Sequence, residues 1–341
     1  DGRRIAIVGS HEVDAVRSCP AWTEVIPYVE GIRGPLRDTL GAIDPRQIAL
    51  NYSVDDVKAD GLSHGMFLLL SSYLADTPCA QRFTSAARII DALRGRKTPA
   101  EVERMRRAIA TTDEIFAAVA RFARVGTSEA QIAAFMQGEV DRRGLGTAWD
   151  RNACPIVNTG PNSMPGHGFP SEDLRIEPGR IFHLDFGVRQ EEYCSDIQRA
   201  WYVPAPGEKQ PPEGVQRAFD TIVAAIDAAA GVLRPGVECW KVDQAARQVV
   251  IDAGFPEYLH ATGHHVGRAA HDGGGVLGPR WERYGDTPMR RVEPGNVYTL
   301  ELGIENVDGR GYLGLEEMVL VTAAGLEYLT TPQRTLPLLS T

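Results

Sequence analysis

Residues 177–187 read EPGRIFHLDFG and residues 293–303 read EPGNVYTLELG, in register at an offset of 116. Each copy is a Pro-Gly turn entering an apolar run that carries one carboxylate, Asp185 or Glu301. Each is followed by a second apolar run with another acid, Asp196 in YCSDIQRAWYV and Glu316 in GLEEMVLVT. Self-similarity of this kind restricts the chain to a fold that uses one supersecondary unit twice. It predicts a duplicated domain with two acid-bearing strand pairs related by an approximate two-fold.

Strand periodicity says where those acids point. Alternate side chains share a face, so Phe182, Leu184 and Phe186 oppose His183 and Asp185, and Tyr298, Leu300 and Leu302 oppose Thr299 and Glu301. The apolar faces are expected to pack under helices. A carboxylate within such a strand is costly to bury unless it is paired or bound to metal. A single acid of this kind is ordinarily an edge or turn residue, but the repeated pattern argues for a site. A third segment, His260-Ala-Thr-Gly-His264-His265-Val-Gly267 with His271, places four of the eight histidines within twelve positions, among glycines that permit close backbone approach. A fourth, Asn158 to His167, is rich in turn formers and reads as a loop. Four carboxylates and an imidazole suit dications such as Mn, Co, Zn or Fe(II). Two ions sharing acids generate a nucleophilic hydroxide at neutral pH and polarise a carbonyl.

The rest of the chain supplies the frame. At 341 residues it is long enough for two domains at ~100–200 residues each. Residues 1–95 read as a small α/β domain, incomplete at its start, with strands at Ile5–Val8 and Ile48–Leu50 and a buried helix at 65–75. Residues 96–341 read as the catalytic domain. Thr98, Pro99 and Glu101 form a capping-box helix start, and Ser128 with Gln131 forms a second that ends at Gly144. Two further helices are expected over 215–230 and 242–253. A net charge of −9 argues against nucleic acid as partner. No apolar run reaches the ~18 residues of a membrane span, and five cysteines without a CxxC suit a reducing, cytoplasmic setting. Val8-Gly9-Ser10 is not a nucleotide-binding fingerprint, and Gly273–Gly275 reads as a flexible loop.

Across about residues 98–331 the sequence resembles the pita-bread metallopeptidase superfamily, which includes methionine aminopeptidase, aminopeptidase P, prolidase and creatinase. Asp185 and Asp196 match its paired aspartates, His264 its Gly-His motif, Glu301 its Thr-x-Glu motif, and Glu316 its Glu-acid-x-Val-Leu-Val-Thr motif. The resemblance implies an α+β pita-bread (creatinase-like) catalytic domain with internal pseudo-two-fold duplication, following an α/β creatinase-type N-terminal domain. It implies two divalent ions, manganese first and Co, Zn or Fe next, with Asp185 on one, His264 and Glu301 on the other, and Asp196 and Glu316 bridging. Glu301 would shuttle the proton of a metal-bridged hydroxide. His167, His260 and His271 match histidines of the aminopeptidase P and prolidase branch, where the counterparts of His167 and His271 contact substrate and steady the attacked carbonyl. The small N-terminal domain belongs to that branch and to creatinase.

Three positions depart from the family pattern: Leu302 stands where Pro is usual, His265 where Gly is usual, and Gly314 where an Arg is usual. Arg310, or a residue of a partner subunit, could stand in for the last. The expected function is a dinuclear Xaa-Pro aminopeptidase or dipeptidase acting on short peptides, as a cytoplasmic homodimer, with weak activity on standard Xaa-Pro dipeptides. The alternative is a non-peptide C–N hydrolase or lyase acting on a small amide or amidine. Creatinase works without metal, and retention of all five ligands here favours a metalloenzyme over that alternative and over a binding protein with a dead site.

Overall fold

The computed structural model describes residues 2–164 and 168–339. The chain divides into two compact units, residues 1–88 and 89–341.

The smaller unit contains strands β1 (Ile5–Gly9), β2 (Glu24–Tyr28), β3 (Ile48–Leu50) and β4 (Phe83–Ser85), with helices α1 (Val13–Arg17), α2 (Arg33–Ile43) and α3 (His64–Leu74). β1 pairs parallel with β2, and β3 parallel with β4. Helices between parallel strands are the α/β pattern read from the sequence. The helix expected at 65–75 forms, capped by Ser63 accepting from the Met66 amide, but it is not buried. Only Leu74 is enclosed, whereas Met66, Leu68 and Leu69 are about half exposed. Two short strand pairs offer a narrow surface, and only one side of the helix meets it, through Phe67 between Tyr52 and Phe83.

A helix α4 (Ala87–Gly95) opens the larger unit. The division therefore falls earlier than the expected boundary at residue 95. Side chains in and just after this helix explain why: Arg94 of the helix and Lys97 beyond it both pair with buried Asp272, and Asp91 pairs with Arg290. Then follow α5 (Pro99–Phe122), α6 (Glu129–Arg142), β5 (Gly146–Thr147), β6 (Ile156–Asn158), β7 (Arg180–Phe186), β8 (Val188–Gln190), β9 (Tyr193–Cys194) and β10 (Ile197–Val203). Helices α7 (Glu213–Val232) and α8 (Cys239–Asp252) precede β11 (Val297–Ile304), β12 (Leu313–Thr322) and β13 (Gly325–Tyr328). The capping boxes at Thr98–Glu101 and Ser128–Gln131 are both made.

The strands are arranged as β10-β7-β6, as β11-β12-β13, and as a small sheet β5-β8-β9. β7 and β10 are antiparallel, as are β11 and β12. The alternation read from the sequence sorts their side chains. Phe182, Leu184 and Phe186 enter a core with Met105, Ile109, Phe116 and Met136 of α5 and α6. Tyr298, Leu300 and Leu302 enter a second core with Phe219, Ile222 and Val242 of α7 and α8. Burying each such side chain contributes about 1.5–3 kcal/mol, so the two helix pairs hold the strand backs and leave the acid-bearing faces free. The strand pairs are joined by a buried bidentate pair, Arg199 of β10 with Glu317 of β12 at 3.0 and 3.1 Å. Gly274 and Gly275, read as part of a flexible loop, are instead buried, with room for a side chain at neither.

Candidate metal centre

β11 and β12 pair so that Glu301 and Glu316 lie directly opposite each other. Asp185, near the end of β7, faces Gln198, the second residue of β10, and Asp196 immediately precedes β10. His264 is brought to the same place by its loop. Its carbonyl accepts from Thr299 N at 2.9 Å, its amide donates to Thr299 Oγ1 at 3.1 Å, and Glu301 N donates to Thr262 O at 2.8 Å. Gly263 permits this approach, since a Cβ there would overlap the Thr299 carbonyl oxygen.

Ligand atoms of Asp196, His264 and Glu316 lie within 4.8 Å of one another. His264 Nε2 is 3.1 Å from Glu301 Oε1 and 3.8 Å from Asp196 Oδ2. Asp185 Oδ1 and Glu316 Oε2 are buried and have no hydrogen-bond partner among the described residues. Unpaired buried carboxylate oxygens are expensive, and Asp185 and Glu316 lie within electrostatic reach of each other.

The electrostatics match. Burial, then Asp196 and Glu301, drives Asp185 well above the usual carboxylate range. Burial, then Asp196, Glu301 and Asp185, does the same to Glu316. Burial raises Asp196 to about 7, with His264 opposing and Glu301 reinforcing. Burial also acts against the Glu301 charge, but the hydrogen bond and charge of His264 outweigh it and hold Glu301 at about 2. His264 in turn is raised to about 9, the bond to Glu301 overcoming its desolvation. Acids crowded until some must keep protons are a cluster short of positive charge. Hard oxygen donors plus one imidazole fit divalent cations.

Of the other histidines singled out in the sequence, His271 packs edge-on against His264 at 4.2 Å between ring centres. Both His260 and His271 lower Glu301 through their charge, so both lie within electrostatic reach of it. His167 lies outside the described residues. His265 is not in the cluster. It is buried against Tyr298, 4.1 Å between ring centres, and held far below its ordinary pKa by desolvation and then by Lys97. Arg310 does not stand in for the missing arginine: it donates to Gly179 O and lies 3.1 Å from the Tyr202 hydroxyl.

Several neighbours escaped the sequence reading. Gln198 Nε2 donates to Glu301 Oε2 at 3.1 Å, while its Oε1 lies 3.1 Å from Nε2 of buried His183. His183 Nδ1 lies 2.9 Å from Asn158 Oδ1, and burial lowers its pKa to about 4. Asp243 and Arg247 of α8 form a buried pair at 2.7 and 2.8 Å. Asp243 accepts from both the amide and the hydroxyl of Thr262, and Arg247 donates to the carbonyls of Tyr258 and His260. Glu129 accepts from Thr159, Ser163 and Ser171. Strand alternation does flag His183 as sharing the face of Asp185. Nothing local in the sequence joins α8 to the histidine loop.

Residues 103–323 match the profile of metallopeptidase family M24. An uncharacterized peptidase of Staphylococcus saprophyticus is 27% identical over 331 residues, 97% of this chain and 85% of its own. An Xaa-Pro dipeptidase of Pyrococcus furiosus is 30% identical over 250 residues, 73% of this chain and 66% of its own. Among solved structures, an X-Pro aminopeptidase from Thermotoga maritima superposes with a TM-score of 0.73 at 26% identity, covering 99% of this chain and 88% of that one. An Xaa-Pro dipeptidase from Bacillus anthracis superposes with a TM-score of 0.75 at 24% identity, over 98% and 86%.

Proposed function

Because the chain belongs to metallopeptidase family M24, in its pita-bread prolidase and aminopeptidase P branch, we propose that this metallopeptidase-type hydrolase is a dinuclear Xaa-Pro aminopeptidase or dipeptidase acting on short peptides. The observation that carries the reading is the Asp196–His264–Glu316 group, whose ligand atoms lie within 4.8 Å of one another, with the buried, unpartnered Asp185 Oδ1 and Glu316 Oε2 among the acids that raise one another's pKa. The names of the relatives from Pyrococcus and Thermotoga support the substrate class. The 116-residue repeat and the two strand pairs with their separate helix pairs support an internal pseudo-two-fold.

In this reading Asp185, Asp196, His264, Glu301 and Glu316 hold two divalent ions, manganese by expectation. Bound there, the ions would polarise the carbonyl preceding proline and lower the pKa of a water. The chain's own residues supply the rest. Glu301 takes and returns the proton at its carboxylate, with Gln198 fixing Oε2 and His264 beside Oε1. His271 and His167 are assigned to the substrate, steadying the attacked carbonyl oxygen, and His260 lines the same side. His183, 3.1 Å from Gln198 Oε1, keeps Gln198 oriented.

The test is metal analysis coupled to a screen of Xaa-Pro peptides against small amides and amidines, with Mn and Co added. Two equivalents of metal and cleavage at the Xaa–Pro bond are expected. Turnover of the small amides alone by fully loaded protein would move the assignment to a non-peptide C–N hydrolase.

A further inference from the structure

Tyr312 occupies an unusual seat. In β11 and β12 the pair next to Glu301↔Glu316 on the same faces is Gly303↔Gly314. Both positions share the acid face, because residues two apart along a strand point the same way. The Tyr312 side chain lies across this glycine pair. A Cβ at Gly303 would overlap its hydroxyl and ring tip, and a Cβ at Gly314 would come within 2.6 Å of the ring and 2.8 Å of the hydroxyl oxygen. The ring meets His183 edge-on at 4.8 Å between centres. It is partly exposed rather than buried, and its hydroxyl has no hydrogen-bond partner among the described residues. Burial, then Glu301, Asp185 and Glu316, pushes its pKa up, so the phenol keeps its proton.

The charge around it is as informative. Among the described residues no arginine or lysine forms an ion pair with Asp185, Asp196, Glu301 or Glu316; their one ion-pair partner is the imidazole of His264. Four carboxylates would cancel two dications, and among the described residues the cationic groups beside them are imidazoles, those of His264, His260 and His271, rather than a guanidinium. Arg310 and Arg199 are both committed elsewhere.

We propose that Tyr312, seated on Gly303 and Gly314, is a specificity-determining residue that donates its phenolic hydrogen bond to a neutral carbonyl on the leaving side of the substrate. The enzyme then acts as an aminopeptidase on Xaa-Pro peptides extended or capped beyond proline, and discriminates against dipeptides whose free carboxylate lies at that point. This rests on the Xaa-Pro reading above and decides between its two forms.

The experiment compares Mn-loaded protein on Ala-Pro, Ala-Pro-amide and Ala-Pro-Ala, together with calorimetric binding of proline and prolinamide. The expected result is kcat/KM at least about tenfold higher for the amide and tripeptide than for Ala-Pro, the scale of one unpaired charged group, and tighter binding of prolinamide than of proline. Tyr312→Phe should lower kcat/KM on the amide roughly three- to tenfold, as one hydrogen bond is worth, with metal content and melting temperature unchanged. Gly314→Ala, which displaces the ring, should erase the preference between amide and acid. Ala-Pro cleaved as well as its amide, with proline bound as tightly as prolinamide, overturns the proposal and leaves the Xaa-Pro reading standing. Unchanged kinetics in Tyr312→Phe overturns the role of the hydroxyl. Cleavage of none of the three peptides removes both.

Discussion

Glu301 shares one histidine with Asp196, yet the two acids are pushed in opposite directions, to about 2 and about 7. The difference is contact. Glu301 lies 3.1 Å from His264 Nε2 and is further fixed by Gln198, whereas Asp196 is 3.8 Å away. Glu301 is therefore the acid held ionised, as a proton acceptor must be. Glu301→Gln should lower turnover by at least ~10² while the fold survives, as judged by circular dichroism beside steady-state rates. The two histidines in edge contact should separate cleanly: His264→Ala loses metal, and His271→Ala keeps it but loses much of the activity. Stoichiometric metal in His264→Ala with loss in His271→Ala, measured by atomic emission, would show that the roles are reversed.

At the scale of elements, the site depends on an α-helix that contributes no ligand. Arg247 and Asp243 of α8 hold the segment from Tyr258 to Thr262, and that segment holds His264 against β11. Removing one partner of a buried ion pair leaves the other uncompensated, at a cost of about 3–5 kcal/mol. Arg247→Met should therefore destabilise the protein by about that amount in urea titration and weaken metal retention as well. Arg247→Lys should not restore either, because an ammonium cannot reproduce the bidentate fork. Wild-type urea stability in Arg247→Lys would show that position 247 contributes packing and charge only. The same scale explains the misjudged α3. A run of apolar residues was read as burial, but whether a helix is enclosed depends on the area of sheet beneath it, and here that area is two short strand pairs.

For the molecule as a whole, the acid cluster couples stability to pH and metal. Asp185, Asp196 and Glu316 have folded values above their ordinary ones. Their contribution is fully present below the ordinary carboxylate range and is lost as pH rises through the folded values, about 7 for Asp196. His264, raised to about 9, contributes fully below its ordinary value and loses that contribution as pH passes 9. Glu301 acts in the opposite sense, but only below about pH 4.5, where its depressed value begins to matter. Chelator-treated protein should thus become less stable from about pH 5 to pH 9. Metal-loaded protein should become more stable over the lower part of that range, since ligands must shed protons to bind. Melting curves with EDTA and with Mn at pH 5, 7 and 8.5 that run parallel would refute the coupling. The assembly is expected to be a homodimer, for which the half-exposed Met66, Leu68 and Leu69 on the smaller unit offer apolar surface. Light scattering at the monomer mass would remove that expectation.

The strand faces, both capping boxes and the acids of the two repeated strand pairs were legible in the sequence because each is a local pattern: a period of two, a cap three residues from its partner, or a motif repeated at a fixed offset. Asp185 and Glu301 stand out there because a carboxylate within an apolar strand is conspicuous wherever that strand goes. Gln198, Tyr312 and the Asp243–Arg247 pair carry no such mark. A glutamine becomes part of a site only when strand pairing sets it across from Asp185 and within reach of Glu301. A tyrosine faces the acids only because two glycines, eleven residues apart in sequence, become neighbours across a ladder and leave it room. Arg310 failed as a substitute for the absent arginine for the same reason: proximity along the chain does not say which way a side chain points, and the fold turned this one toward Gly179 and Tyr202. Residue types and periods determine what each strand and helix can offer, whereas pairing register and close packing decide which of those groups meet.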